Sequence, residues 1–518
     1  LHRILSAGWA AVLACAGAAA AAPEAGALGG RVEDARGDAV AGAMVSALLP
    51  GGRSVTVYSD AAGSFRLPPE ADGAERLQAR LPGTGTASAE PAPEARLRLS
   101  DGDPVLPAPS AWLAGLPAGE PARRFILDCT GCHVTDSERL EVRGLPRDST
   151  SWHAAVEQMK AMFGPGTGFP IMSEWANPEN LAGWCARSFR DVRPEHSALR
   201  GPEDGGAVLT EHPVPVPQDL AHDLMVDPSG AVLITGMFTH QMYRLDPAAG
   251  VFDVTPIPVP GANPRALDVD ARGRWWVVLG GPGKVAVYDP PRAEWELHDV
   301  GMYAHSIAVG PDGRAWVNGH FSHDPELIAA VDGDSGEIAR FPVPAAGGGT
   351  PAESTIPYGL RVARDGSVWG TQLRGNRLIR LDPATGDVKQ WEMPVTHSGP
   401  RRPDVAPDGS VWIPLYSADA LVRFDPATER FRKWDFPVPG ALPYVVRIDQ
   451  RDGTVWIGTG HGDVVASFDP RTERFRLYPL PTRGALIRHL DVDESRGEIW
   501  FAYGASPGIP GKVMRLRP

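Results

Sequence analysis

Cys129, Cys132 and His133 stand together in the text DCTGCHVT. Two thiols separated by two residues and followed at once by an imidazole suit three chemistries. They can form thioethers to a haem whose iron takes the histidine as proximal ligand, supply half of a zinc site, or act as a redox dithiol. A zinc site needs four ligands, usually with a second Cys/His pair at short spacing. Cys185, 53 residues beyond Cys132, offers only a lone third, and its text LAGWCARSF reads as a buried small apolar position on a helix. A dithiol of the thioredoxin type belongs on a βαβ unit, whereas the text around this motif reads as helix. The residues favour covalent haem c on Cys129 and Cys132, with His133 on the iron.

A second set of candidates depends on a repeat. Seven times a glycine is followed three residues later by a large apolar residue: Gly230/Leu233, Gly273/Trp276, Gly313/Trp316, Gly366/Trp369, Gly409/Trp412, Gly453/Trp456 and Gly497/Trp500. Successive spacings are 43, 40, 53, 43, 44 and 44 residues. Each unit reads as a strand, a tight turn, a strand carrying the Trp, a third strand and a fourth. Four strands per ~40–45 residues predicts a β-propeller. The last unit, ending KVMRLRP, is one strand short, and GAVLTEHPVPVP (206–217) has the text of a fourth strand with no blade before it. Strands from both ends are therefore expected to close a ring of seven blades.

At the start of each inner strand stand His222, Arg265, His305, Tyr358, Arg401, Tyr444 and Arg488, the last with His489 beside it. These seven are expected to ring one mouth of the axial channel, as a cationic funnel for an anionic or oxygen-rich small molecule. The text HFSHDPE, with His320, His323, Asp324 and Glu326, reads as an exposed loop rather than a transition-metal site, and 344–355 as a long insertion.

The elements that must carry these groups begin with an export signal. Residues 1–22 show an early basic residue, an apolar run and a small-residue tract, the layout of a cleaved secretory leader. The text VLAC also allows a lipid anchor at Cys15. No later run reaches the ~20 apolar residues of a membrane helix, so a periplasmic or secreted chain without a transmembrane helix is expected. The net charge of −13 argues against a nucleic-acid partner. Four cysteines in 518 residues exclude a disulfide scaffold.

Residues 26–100 alternate like short strands, and the texts GRVEDARGDAVAGAMV and SDAAGSFRLP resemble the carboxypeptidase regulatory-like domain. That resemblance implies a small β-sandwich serving as a spacer or adhesion module. Residues 101–121 read as a stiff Pro-rich linker. Residues 122–195 read as helices and resemble a small c-type cytochrome domain. In that family a distal methionine often follows W-x-x-x-V-x-x-M, here Trp152, Val156 and Met159, or sits in a Pro-flanked loop, here Met172 of GFPIMSEW. Met159 is the first choice and Met172 the second, ahead of Met162, His153 or an open position.

Residues 206–518 resemble the streptogramin (virginiamycin B) lyase family of propellers. That resemblance implies histidines acting on substrate, matched by His222 and His305, and glutamates holding Mg²⁺. The chain departs from it: WVVL, WVNG, WGTQ, WIPL, WIGT and WFAY carry no Glu three residues after the Trp, so Mg²⁺ is not expected. The combined expectation is a mainly β chain of N-terminal sandwich, helical c-type cytochrome domain and C-terminal seven-bladed propeller. Its expected role is that of a periplasmic electron-transfer protein, a redox enzyme or redox subunit, working with a redox partner protein. A C–O lyase with an accessory haem and a non-catalytic scaffold are the alternatives.

Overall fold

All seven repeat glycines have positive φ, from 68° at Gly497 to 82° at Gly230 and Gly366, so each inner strand folds back tightly on its neighbour. The computed structural model describes residues 27–100, 107–195, 199–321, 326–344, 355–504 and 509–518. The leader with Cys15, His323, Asp324 and most of the insertion at 344–355 lie outside the described residues.

Six four-stranded antiparallel sheets follow one another in strict chain order. The first consists of Ala221–Val226, Val232–Gly236, Gln241–Asp246 and Val251–Pro256. Inner strands of successive sheets touch, and those of the seventh touch the first, which closes a propeller. The repeat tryptophans hold blade to blade. Trp276 packs with Ala304, Ile307 and Val317 of the third blade, Trp316 with Leu360 and Val368 of the fourth, and Trp412 with Val446 and Ile457 of the sixth.

The fourth strand of the seventh blade is Val208–Pro213, paired antiparallel with Lys512–Arg517 from Val208↔Arg517 to Pro213↔Lys512. Its other edge pairs with Ser54–Tyr58, from Val208↔Val57 to Glu211↔Ser54. The seventh blade is therefore continuous with Ser54–Tyr58, Met44–Leu48, Arg76–Arg80 and Thr86–Ala89 in one eight-stranded sheet. A three-stranded sheet of Gly29–Glu33, Ser64–Arg66 and Ala95–Arg98 completes the sandwich over a separate apolar core. The expected spacer module is thus built into the propeller. Glu211 fixes the junction: its carboxylate accepts from Ser54 Oγ at 2.8 Å, Thr482 Oγ1 at 2.6 Å, Lys512 Nζ at 3.0 Å and the Tyr503 hydroxyl.

The middle of the chain is helical: α1 (Ser110–Ala114), α2 (Glu120–Cys129), α3 (Ser137–Leu140), α4 (Ser149–Phe163) and α5 (Pro178–Arg190). Asp148 and Asn177 cap α4 and α5 through Ser151 N and Asn180 N. The linker expected over 101–121 is corrected in its second half. There α1 buries Trp112 and Leu113, and Ser110 N donates to His461 O of the propeller at 2.8 Å. Two large apolar side chains in a Pro-rich text are enough to dock it.

Candidate functional site

The rim residues owe their positions to irregularities in the inner strands. In the first four blades a register shift adds one residue, between Ala221 and Leu224, Pro264 and Leu267, Ala304 and Ile307, and Pro357 and Leu360. A bulge leaves one residue unpaired and re-aims its side chain. His222, Arg265, His305 and Tyr358 all fall within these shifts. The loosened backbone is retied by a second-strand side chain that also reaches the next blade. Thr235 Oγ1 accepts from Asp223 N at 2.9 Å, while Thr371 Oγ1 accepts from Gly359 N at 3.1 Å and donates to Arg401 O at 2.6 Å. Asn318 accepts from Ser306 N at 2.9 Å and donates to Tyr358 O at 2.7 Å.

The fifth blade departs further. Its inner strand is only Asp404–Val405, because Pro403 has no N–H to give a ladder. Arg402 instead bridges in parallel to Val445 of the sixth blade. The expectation that Arg401 begins a regular strand is corrected: it sits on this detour, and its guanidinium enters a cage of tyrosines. It lies 4.0, 4.2 and 4.9 Å from the ring centroids of Tyr416, Tyr444 and Tyr358, and donates to Tyr358 Oη at 2.6 Å.

All seven rim residues line one chamber of about 500 Å³. It is no wet rim. Six of the seven are 5 % exposed or less, and only Arg265 is more open. The helical segment supplies the roof, with Gly131, Cys132, Phe163, Phe169 and Ile171. Tyr416 Oη donates to Thr130 O at 2.9 Å, Arg488 Nη2 donates to Cys132 O at 3.1 Å, and Thr135 N donates to His461 Nε2 at 3.2 Å. A Cβ on Gly131 would stand 3.1 Å from Arg401 Nη2, so the glycine of CTGC lets the loop rest on that arginine.

Sequence reasoning missed several chamber residues. His320, expected on an exposed loop, is buried and stacked on His305, with centroids 4.4 Å apart at 14°. Glu326 accepts from Thr355 N and Ile356 N, and His323 and Asp324 lie outside the described residues. Met237 and His320, which line the chamber, and Tyr416, which packs on Arg401, all stand four residues after the repeat's large apolar position. Arg402, outside the chamber lining, was missed too; it forms a buried ion pair with Asp223, Nη1 to Oδ2 at 2.5 Å. His489 lies deeper, hydrogen-bonded to Arg447.

Electrostatically the chamber holds neutral imidazoles and charged guanidiniums. Burial pulls His222 down to about 4 and His320 to about 3, and holds His305 well below the ordinary range. His222 Nδ1 donates to Asp223 Oδ1 at 2.8 Å, His320 Nδ1 to Pro357 O at 2.9 Å, and His305 Nδ1 to Ser306 Oγ at 3.2 Å. Each ring therefore keeps its Nε2 lone pair. Burial alone would raise the Tyr444 phenol, but Arg401, Arg488 and Arg402 together bring it below its usual value. Arg401, Arg488 and Arg265 have no carboxylate partner among the described residues. Arg401 Nε, Arg488 Nη1 and His320 Nε2 are buried with no hydrogen-bond partner.

Behind the roof lies a second cavity of about 240 Å³ within the helical segment, largely apolar but with Glu138, Arg139, Arg147 and Gln158 also in its lining. Cys129, His133, Met159 and Met172 line it, together with Phe125, Leu140, Trp152 and Val156. His133 Nδ1 donates to Val134 O at 3.1 Å, which leaves Nε2 as the ring nitrogen for a metal. His153 and Met162 are exposed and do not line the cavity. Cys185 is fully buried in α5. Cys129 and Cys132 are free thiols, and burial raises both above the usual thiol range. One thiol, Cys129, an imidazole with one open nitrogen and two thioethers about this cavity, with the second thiol, Cys132, three residues on, are the donor types that hold a covalently attached haem. Cys132 faces the chamber and Cys129 the inner cavity, so the loop between them is the wall shared by both.

These features define a seven-bladed propeller whose axial mouth is roofed by a helical segment. Residues 333–513 match the virginiamycin B lyase family, and residues 27–104 match the carboxypeptidase regulatory-like domain. Among solved structures, a streptogramin B lyase aligns with TM-score 0.53 at 18% identity, covering 60% of this chain and 97% of its own. Virginiamycin B lyase from Staphylococcus aureus aligns with the same score and identity, with 60% and 99% covered. A catalytically inactive variant of that enzyme, solved with quinupristin, aligns equally. At this identity the likeness is one of fold. No curated protein matches the chain in sequence.

Proposed function

We infer that this chain is an exported haem c protein whose propeller chamber binds a substrate or partner, making it a redox enzyme or redox subunit. The observation that carries the reading is the convergence of Cys129, His133, Met159 and Met172 on one cavity, behind a loop that also faces the arginine-lined chamber. Cys129 and Cys132 would hold the group by thioethers, with His133 Nε2 and Met159, or failing it Met172, on the iron. When bound, it supplies one-electron exchange at a potential raised by thioether ligation.

The chain's own residues do the rest. Phe125, Leu140, Trp152 and Val156 give the inner cavity an apolar wall. Arg488 and Arg401 fix the CTGCH loop from below, and the neutral imidazoles of the chamber can accept a proton at Nε2. Protein matured in a host with working cytochrome biogenesis should carry haem that survives denaturing electrophoresis, and a Cys129→Ser/Cys132→Ser variant should lose it. Haem-free wild-type protein from that host would overturn the reading.

The lyase reading draws support from His222 and His305, neutral in the chamber, and from the family match. His305→Ala separates the two. A lyase would lose turnover, whereas a haem-linked oxidoreductase would keep a reducible haem and lose substrate-driven reduction.

A further inference from the structure

The chamber has two unlike halves. On the axial side Arg401, Arg488, Tyr358 and Tyr444 gather near Cys132, with Arg401 Nε and Arg488 Nη1 buried and unpartnered. On the outer side Phe163, Phe169 and Ile171, from the end of α4 and the segment after it, meet Leu220, Met237 and Phe238 of the first blade. Phe238 is 52 % exposed and forms a lip, so the chamber opens over the first and second blades. The Arg265 guanidinium stands at the junction, 5.1 Å from the Phe169 ring centroid and 5.6 Å from that of Tyr303.

An inorganic anion would engage only the first half and a neutral hydrocarbon only the second. Two arginines that line the chamber without a carboxylate partner among the described residues match the two oxygens of one planar carboxylate. A ring beside Phe169 and Met237 would meet aromatic and thioether surface that favours a flat apolar body. We propose that the chamber binds a small aromatic carboxylate, its oxygens toward Arg401 and Arg488 and its ring between the Phe169 segment and the first blade. A cavity of about 500 Å³ lies within the range of small-molecule sites. This deepens the proposed function, resting on the chamber as a ligand site and not on the haem.

Calorimetric titration of the full chain with benzoate, phenol, benzyl alcohol and inorganic phosphate tests it. Benzoate should bind at least about tenfold more tightly than the other three, since losing one charge-assisted hydrogen bond costs roughly ten- to a hundredfold. Arg265→Gln and Phe169→Ala, each with an unchanged unfolding temperature, should each weaken benzoate roughly tenfold. Phosphate binding as well as benzoate would reduce the site to an anion hole. Equal binding of phenol or benzyl alcohol would make it an apolar cleft. Absence of benzoate binding, or binding indifferent to both substitutions, also overturns the proposal. Haem staining of the same preparation separates the two readings: stained protein that ignores benzoate loses only the ligand, and unstained protein that binds it loses only the redox function.

Discussion

Met159 and Met172 reach the same cavity from different directions, one half-buried on α4 and the other buried in the segment before α5. A methionine on the inner face of a helix is commonly packing, so under the proposed haem reading the two thioethers have to be told apart by substitution. Met159→Ala should abolish the weak long-wavelength absorption of thioether-ligated haem and lower the midpoint potential in a redox titration. If Met172→Ala does so instead, the order is reversed. Arg401 invites a second test at this scale. Its flat guanidinium among Tyr358, Tyr416 and Tyr444 is a geometry that lysine cannot reproduce. Arg401→Gln, which removes that stack together with the charge that lowers the Tyr444 phenol most, should shift the ultraviolet pH titration of tyrosine upward while the protein stays folded.

The helical segment is held to the propeller by few elements, and Gly440 marks the tightest approach. Its φ is +76°, and a Cβ there would stand 2.3 Å from Ser110 O and 3.0 Å from Ala114 N of α1. Gly440→Ala should therefore cost about 1–3 kcal/mol and raise hydrogen exchange in α1 and α2 more than in the blades; uniform exchange would show the segment is anchored elsewhere. The same contrast explains what could be read in advance. Blades were legible because each is closed by a local turn glycine and a tryptophan at fixed offset, and the seven rim residues followed from their shared place in the repeat. The roof was not legible. Contacts such as Thr130 with Tyr416 join residues 286 apart, and nothing in either local text announces them. The detour at Arg401–Arg402–Pro403 was hidden for another reason: its bridge runs to a neighbouring blade and has no counterpart in the other repeats among the described residues.

Across the whole molecule, protonation should set the acid limit. Burial holds His212 and His222 at about 4 and His320, His461 and His489 at about 3, so these rings stay neutral in the fold. The unfolded chain begins to protonate them near pH 6.5, so it binds more protons below that pH and stability falls toward pH 4. Burial also raises Asp268, Asp419, Asp463 and Asp491 to about 6, which works in the opposite direction as pH falls below 6. The histidine shifts are larger and more numerous, so the unfolding midpoint should drop between pH 6.5 and 4, and His212→Gln should flatten part of that drop. A midpoint that rises on acidification would mean these imidazoles are charged in the fold. The strand that closes the ring, Val208–Pro213, has another consequence, one of lifetime. A ring latched by an outermost strand opens by peeling, one ladder at a time. Here the latch lies inside a sheet, gripped by Lys512–Arg517 on one side and Ser54–Tyr58 on the other. Opening the ring at its seam must tear two ladders together, so the sandwich lengthens the wait before the propeller first comes apart. Removing residues 27–104 should therefore shorten the half-life of thermal inactivation far more than it alters the blades it leaves behind.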